Sequence, residues 1–381
     1  MKKVINEMPL LEVNSRNIVL FHPHVPEKAI KYVTDTLKTR WIGQGPKVDL
    51  FEKKFSEKFS PNFRSIAVGS GTDALHLAYI LAGLKCGDEV ISPVFTCTAT
   101  NIPFLYMGIK VRFADIQINT LNIDPKYVES LINEKTKAIV CVHYGGLPCD
   151  MDELHMIANK WNIPIIEDAA HAIGAKYHGK YIGSISDFSA FSFQAIKNIT
   201  TGDGGMLVVK NRNLVEKAKR IRWFGIDRSA KQMGIWENDI KEVGYKYQMT
   251  DIGAAMGLAA LEEYEDVLNF RKSLFRAYER GLLNIPGLEF IGGGYTDREH
   301  AAWICTVKAE NRFGLQCKLR DNHIESNQVH YRNDRYSIFG GRQKSLPNMD
   351  AIEEKYLVLP LHTKMTISDV ERICMVIKSG W

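Results

Sequence analysis

The stretch FSFQAIKNITTGDGG, residues 191–205, places one lysine, Lys197, among uncharged residues ahead of a glycine-rich turn. An ammonium in an apolar, partly desolvated setting has its charged form disfavoured, so more of it stands as the neutral amine that attacks carbonyls and forms a Schiff base. Twenty-nine residues earlier, IPIIEDAAHAIG ends an apolar run on Asp168, with His171 three residues on. A carboxylate at a buried strand end can hold a pyridinium nitrogen protonated, which keeps pyridoxal phosphate an effective electron sink, and His171 could hydrogen-bond near the same group. Taken singly, Lys197 also reads as a solvated surface charge and Asp168 as a helix N-cap.

A third piece is VGSGTDALHLA, a strand running through Ser70, Gly71 and Thr72 into a helix. Small residues there let the backbone approach a phosphate while the helix N-terminus supplies free amide donors. Ser192, five residues before Lys197, would add a hydroxyl to the same phosphate; a buried serine bonded to backbone is the other reading.

These groups need a frame. SIAVGS, DEVISPVF, KVRFADI, KAIVCVHYGG, IPIIEDAA, DFSAFSF and GGMLVVK read as strands, with helical TDALHLAYILAGL, DPKYVESLINE and DMDELHMIANKWN between several of them. Strands this apolar, separated by amphipathic helices, predict an α/β fold with a mainly parallel central sheet covered on both faces, and catalytic groups gathered at the strands' carboxyl ends. From MTDIGAAMGLAALEEYEDVLNFRKSLFRAYERGLL the pattern becomes one long helix, a natural boundary between a large domain, 1–260, and a smaller C-terminal α/β domain, 261–381. In the smaller part AAWICTVKA reads as a strand, GLQCKLRDNH as a helix, HYRNDRYSIFGGRQKS as a polar loop and ISDVERICMVIKSG as a closing helix.

Composition narrows the function. Hydrophobic residues make up 45% and charged residues 24% of 381, ordinary for a globular protein, and the net charge of +5 is too diffuse to argue for nucleic acid. Seven cysteines form no CxxC pair and no zinc-spaced cluster, so no metal is expected and a reducing cytoplasm fits best. The N-terminus, MKKVINEMPLLEVNS, has no apolar core long enough for a signal peptide, and no run reaches membrane-spanning length.

Taken in order, RWIGQGPKVDLFE, VGSGTDALHLA, GDEVISPVFTCTATN, IEDAAHAIGA, FSFQAIKNITTGDGG and GYKYQMTDIGAAMGLAAL make the chain resemble, over nearly its whole length, the DegT/DnrJ/EryC1/StrS family of pyridoxal-phosphate-dependent nucleotide-sugar aminotransferases. The resemblance implies a fold-type I architecture and a homodimer with shared active sites. It also implies that Lys197 bonds the cofactor, Asp168 partners the pyridine nitrogen with His171 nearby, and Gly71, Thr72, the backbone of Asp73 and Ser192 hold the phosphate. Family members that replace the lysine by histidine act as dehydratases, and Lys197 argues against that branch. Three positions depart from the pattern. Cys97 stands where members usually carry an aromatic stacked on the pyridine ring, with Phe95 the ring that could compensate. Gln194 replaces a common histidine. Lys246, in GYK rather than GYN, would offer an ammonium to the partner subunit's phosphate. On the sugar side the resemblance suggests His330, Tyr331, Arg332 and Arg335 in NQVHYRNDRYSIF, with Trp41 and Gly43 beside a diphosphate. A solvated loop and a tight turn are the plain alternatives, and Arg222, Asp227 and Arg228 read as exposed helix-end charges. The implied reaction is ping-pong transamination from L-glutamate to a nucleotide-linked keto-deoxyhexose, in amino-sugar biosynthesis for glycans or antibiotics. Carbon 4 is favoured over carbon 3; a cyclitol ketone and a non-catalytic regulatory protein are the alternatives.

Overall fold

Among the described residues, the seven apolar runs become strands of one sheet: β1 (Arg64–Val68), β2 (Glu89–Pro93), β3 (Lys110–Ala114), β4 (Thr136–Val142), β5 (Ile165–Asp168), β6 (Phe188–Ser192) and β7 (Gly205–Val209). The structure is a computed structural model and describes residues 8–237 and 239–381, so the first seven residues of the N-terminal stretch lie outside it. In space the strands run β1-β7-β6-β5-β4-β2-β3. β7 is antiparallel to both its neighbours, and the other pairings are parallel.

The apolar strands are explained by burial on both faces. β4 sends Ile139 and Cys141 into one core, with Phe51, Phe55, Met151 and Leu154, and Ala138 and Val140 into the other, with Leu75, Tyr79 and Phe104. This alternation follows from the two-residue period of a strand. Helices Pro46–Phe59 and Met151–Trp161 contribute to the first core; Gly71–Leu81 and Thr98–Tyr106 contribute to the second.

The long helix predicted from the sequence is Asp251–Gly281, 31 residues, or ~46 Å at 1.5 Å per residue. Its early residues, Ala254 to Leu268, belong to the first core; Leu274, Phe275 and Tyr278 belong to a separate core built on the antiparallel strands β8 (Leu288–Ile291), β9 (Cys305–Ala309) and β10 (Tyr356–Leu359). Thr250 caps the helix by accepting from Gly253 N at 3.1 Å. Asp251, the first helical residue, is buried and accepts from the amides of Gly45, Lys47 and Val48 at 2.7, 3.1 and 3.0 Å. One carboxylate thereby satisfies the start of helix Pro46–Phe59, a favourable place for negative charge. Gly257 lets the two helices meet, since a Cβ there would lie 2.6 Å from the Phe51 ring.

AAWICTVKA is only partly a strand. Pairing starts at Cys305, because the amides of Ala301 and Trp303 are already given to the carbonyls of Gly146 and Gly145, at 2.9 and 3.1 Å. Among the described residues no helix is long and apolar enough to cross a membrane.

Candidate active site

Asp168 and Ser192 are the last residues of the neighbouring parallel strands β5 and β6, at the carboxyl edge of the sheet, with Asp168 opposite Ala190 and Ser192 two residues beyond it. Lys197 follows on a loop closed by Phe193 N to Gly204 O (2.8 Å) and Thr201 N to Phe193 O (2.9 Å). Two residues from the far end of the chain pin that loop. Trp303 Nε1 donates to the Ile196 carbonyl at 3.0 Å, and the Ala301 carbonyl accepts from Asn198 Nδ2 at 2.9 Å.

Lys197 Nζ sits 3.6 Å from the centre of the Trp303 ring, well inside cation–π range. Burial pushes its pKa down to about 8, opposed by the Cys97 sulfur and the Asp168 carboxylate nearby. At pH 7 about a tenth of Lys197 is then neutral, against ~0.03% for an ordinary lysine. Asp168 is buried; Oδ2 accepts from Thr100 Oγ1 at 2.7 Å and Oδ1 from Ala170 N at 3.1 Å. Burial raises its pKa, and the Thr100 and Ala170 hydrogen bonds and the Lys197 charge work against that.

His171 stacks on Trp303 at 3.7 Å and 17°, and the His330 ring lies beyond it at 5.5 Å and 15°. Burial, together with the Lys197 charge, holds His171 well below the usual imidazole range and His330 at about 3, so both rings are neutral. His171 Nδ1 and His330 Nε2 are buried without a protein partner. Buried polar atoms of this kind ordinarily find a partner, which here points to a ligand in the cleft.

Ser192 faces the start of helix Gly71–Leu81. A Cβ on Gly71 would meet Ser192 Cβ at 2.9 Å and Oγ at 3.3 Å, so glycine is what lets the helix N-terminus close on the serine. Ser70 caps the helix by accepting from Asp73 N at 3.0 Å. The Asp73 amide is therefore engaged by its own cap, while the first-turn amides of Gly71 and Thr72 have no intrahelical acceptor. Burial raises the Asp73 carboxyl to about 6 against its hydrogen bonds from Ser70.

The other expected residues divide. Cys97 is half-buried at the start of helix Thr98–Tyr106, on the lysine side. Phe95 does not take the place of the missing aromatic: it is buried between Tyr144 and Tyr356, with ring centres 4.9 and 5.0 Å away. Tyr331 pairs with Thr96 across a short antiparallel bridge, which brings the His330 loop over the edge of the sheet. Arg332 corrects the expectation of a substrate contact. It is fully buried, with Nε and Nη2 donating to Asp334 at 2.6 and 2.7 Å and Nη1 directed at Asp350 and Glu353. Its donors are spent inside the fold.

Trp41 lines a separate cavity of about 430 Å³ with Gln44, Arg222, Trp223, Asp227 and Arg228, and the carbonyl of Gly43 accepts from Asp251 N at 2.6 Å. Arg222 is not an exposed helix-end charge: it is 4% exposed and bonds Glu52 and the Ala67 carbonyl. Lys246 is exposed, its Nζ 4.2 Å from the centre of the Trp223 ring. Sequence reasoning missed Trp303 and Thr100. The indole sat in a run that reads as strand core, and the threonine in a run of small polar residues.

Lys197, the buried Asp168 carboxylate, the glycine and serine cradle and the orphaned His171 nitrogen fit a phosphorylated pyridine aldehyde. The comparisons with known proteins agree. The sequence model of the DegT/DnrJ/EryC1/StrS aminotransferase family matches residues 23–378. GDP-perosamine synthase of Escherichia coli O157:H7 is 34% identical, the alignment covering 94% of this chain and 96% of that protein. UDP-4-amino-4-deoxy-L-arabinose–oxoglutarate aminotransferase of Shewanella sediminis is 31% identical, with the same two coverages. The structure of Spr1654 from Streptococcus pneumoniae in its pyridoxamine phosphate form superposes with a TM-score of 0.90 at 31% identity, covering 95% of this chain and 98% of that one.

Proposed function

Because this chain belongs to the DegT/DnrJ/EryC1/StrS aminotransferase family, we propose that it transfers an amino group from L-glutamate to a nucleotide-linked 4-keto-6-deoxy sugar, in biosynthesis of an amino sugar. The observation that carries the reading is Lys197: a half-buried amine brought to about pKa 8, held over Trp303 and within the field of Asp168. Pyridoxal 5′-phosphate, the cofactor of this family, supplies a protonated ring into which the electrons of a breaking C–H bond are drawn. In this reading Asp168 holds the ring nitrogen's proton, and Ser192 with the Gly71 and Thr72 amides binds the phosphate. Lys197 Nζ takes the α-proton of glutamate and later returns a proton to the sugar carbon that receives nitrogen. Its depressed pKa suits both duties near neutral pH.

His171 and Cys97 border the cofactor, His330 and Tyr331 face the sugar, and Trp41 and Gly43 lie toward the diphosphate. Lys246 reaches the site of a partner subunit in a symmetric homodimer with shared active sites, and the enzyme works in the cytoplasm. Carbon 4 and the glutamate and oxoglutarate couple are supported by the name of the Shewanella relative.

The test incubates purified protein and glutamate with a panel of nucleotide-linked 3- and 4-keto sugars and a keto-cyclitol, identifying products by mass and NMR. A 4-amino sugar is expected. A 3-amino product or an aminated cyclitol overturns the substrate assignment, and absence of any spectral change with glutamate overturns catalysis altogether.

A further inference from the structure

Behind Asp168 lies a polar shelf that no solvent reaches. Thr96, Thr100, Asn101 and Asn333 are each at most 1% exposed, although every one carries hydrogen-bonding atoms that would be solvated in an ordinary loop. Thr100 Oγ1 has a single hydrogen, and the Asp168 carboxylate 2.7 Å away can only accept it while ionised. The contact between the Thr96 and Thr100 hydroxyls, at 2.7 Å, is then directional: Thr96 donates to Thr100, which donates to Asp168. A chain of this sense ends on the carboxylate and polarises toward it.

The shelf is braced. The Thr96 carbonyl accepts from Asn333 Nδ2 at 2.7 Å, Asn333 Oδ1 accepts from Asn101 Nδ2 at 2.9 Å, and Asn101 Oδ1 accepts from Ser92 Oγ at 2.6 Å. The Tyr79 hydroxyl donates to the Thr100 carbonyl at 2.9 Å. The same Asn333 closes the short bridge in which Tyr331 pairs with Thr96, so the sugar-side loop and the Asp168 support share one set of bonds.

We propose that Thr100 is a positioning residue: its hydroxyl, oriented by Thr96 and braced through Asn333, keeps Asp168 ionised and aimed at the cofactor's ring nitrogen. Thr100 touches neither substrate nor cofactor and acts through the carboxylate alone. Burial by itself drives Asp168 toward its protonated form, which could not hold a proton on the ring; the Thr100 hydrogen bond opposes that drift. The inference rests on the reading that Asp168 faces the ring nitrogen.

The experiment uses holoenzyme reconstituted with pyridoxal phosphate labelled with 15N in the ring. Thr100→Val keeps the β-branched shape and removes the hydroxyl. A lost hydrogen bond to a charged group corresponds to ~10- to 100-fold in the proton's partition between ring nitrogen and carboxylate. The ring 15N resonance should move toward the neutral-pyridine position, and the single-turnover rate with glutamate should fall by a similar factor while glutamate affinity changes little. Thr100→Ser should restore both. An unmoved resonance in folded Thr100→Val, or no rescue by serine, overturns the proposal. If Thr100→Val does not fold, Thr96→Val removes the preceding donor and should produce a smaller shift of the same sign; no shift there also overturns it. Asp168→Asn separates the two readings. If it leaves the resonance in place, Asp168 does not partner the nitrogen; if it moves the resonance while the threonine variants do not, only the role of Thr100 falls.

Discussion

Replacing Lys197 by methionine in the cofactor-free protein should stabilise the fold, and the gain should vanish with alkali. The folded-state pKa of about 8 against an ordinary 10.5 means that burial penalises the ammonium by ~3 kcal/mol, a ceiling because the residue is half-buried and solvent screens part of it. The sign follows from proton counting. Below pH 8 both states bind the proton and the fold bears the full penalty. Between about 8 and 10.5 the unfolded chain holds a proton that the folded one has released, so wild-type stability rises with pH. Lys197→Met has no such proton and a similar length. Urea unfolding of both apoproteins at pH 7, 8, 9 and 10 should therefore show the variant ahead by up to ~3 kcal/mol at pH 7, the gap closing by most of that before pH 10. Other titrating groups cancel in the difference. The cation–π contact with Trp303, 3.6 Å away, favours the ammonium and therefore works against the penalty. A gap that stays flat across the four pH values would refute the claim that Lys197 is the desolvated, reactive amine.

Trp303→Phe keeps a ring beneath Lys197 but deprives the half-buried Ile196 carbonyl of its donor, which should cost ~1 kcal/mol of unfolding free energy and slow cofactor attachment; a variant as stable as wild type would remove Trp303 from its pinning role. Arg332→Met leaves Asp334 buried without its guanidinium and should cost ~3–5 kcal/mol. Its KM for the sugar substrate should nevertheless stay within about twofold, and a large KM rise at full folding would return Arg332 to the substrate site. Mixing Lys197→Ala with Lys246→Ala chains should recover about a quarter of wild-type activity once subunits exchange, since half the dimers carry one complete site. Activity no greater than the sum of the parents, with exchange confirmed by tags, would show that Lys246 does not act across the interface.

The alternation of buried strands with amphipathic helices was readable because it is a local signal: a strand covered on both faces needs apolar residues at successive positions, and β4 from Ala138 to Val142 and β7 from Met206 to Val209 carry them. The placement of Asp168 and Ser192 at strand ends followed from the same runs, since the last apolar residue marks where the sheet stops. Short elements were less legible. Leu288–Ile291 and Tyr356–Leu359 pair on either side of Cys305–Ala309 from sites far apart in the chain, and four residues offer too little pattern to declare a strand.

By itself, then, the sequence singled out Lys197, the acid at the strand end and the glycine and serine turn at Ser70–Thr72, because each is a short run whose chemistry and backbone preference are decided by its neighbours. The tertiary structure decided what surrounds them. Trp303 comes under Lys197 from more than a hundred residues away, held by a hydrogen bond to Ile196 that no local pattern announces. Arg332 reads like any exposed loop cation until the fold encloses it with Asp334, Asp350 and Glu353. Thr100 is one threonine among several until β5 sets a carboxylate 2.7 Å from its hydroxyl. Burial and hydrogen-bond partnership depend on which distant segments pack together, and a one-dimensional pattern does not contain those distances.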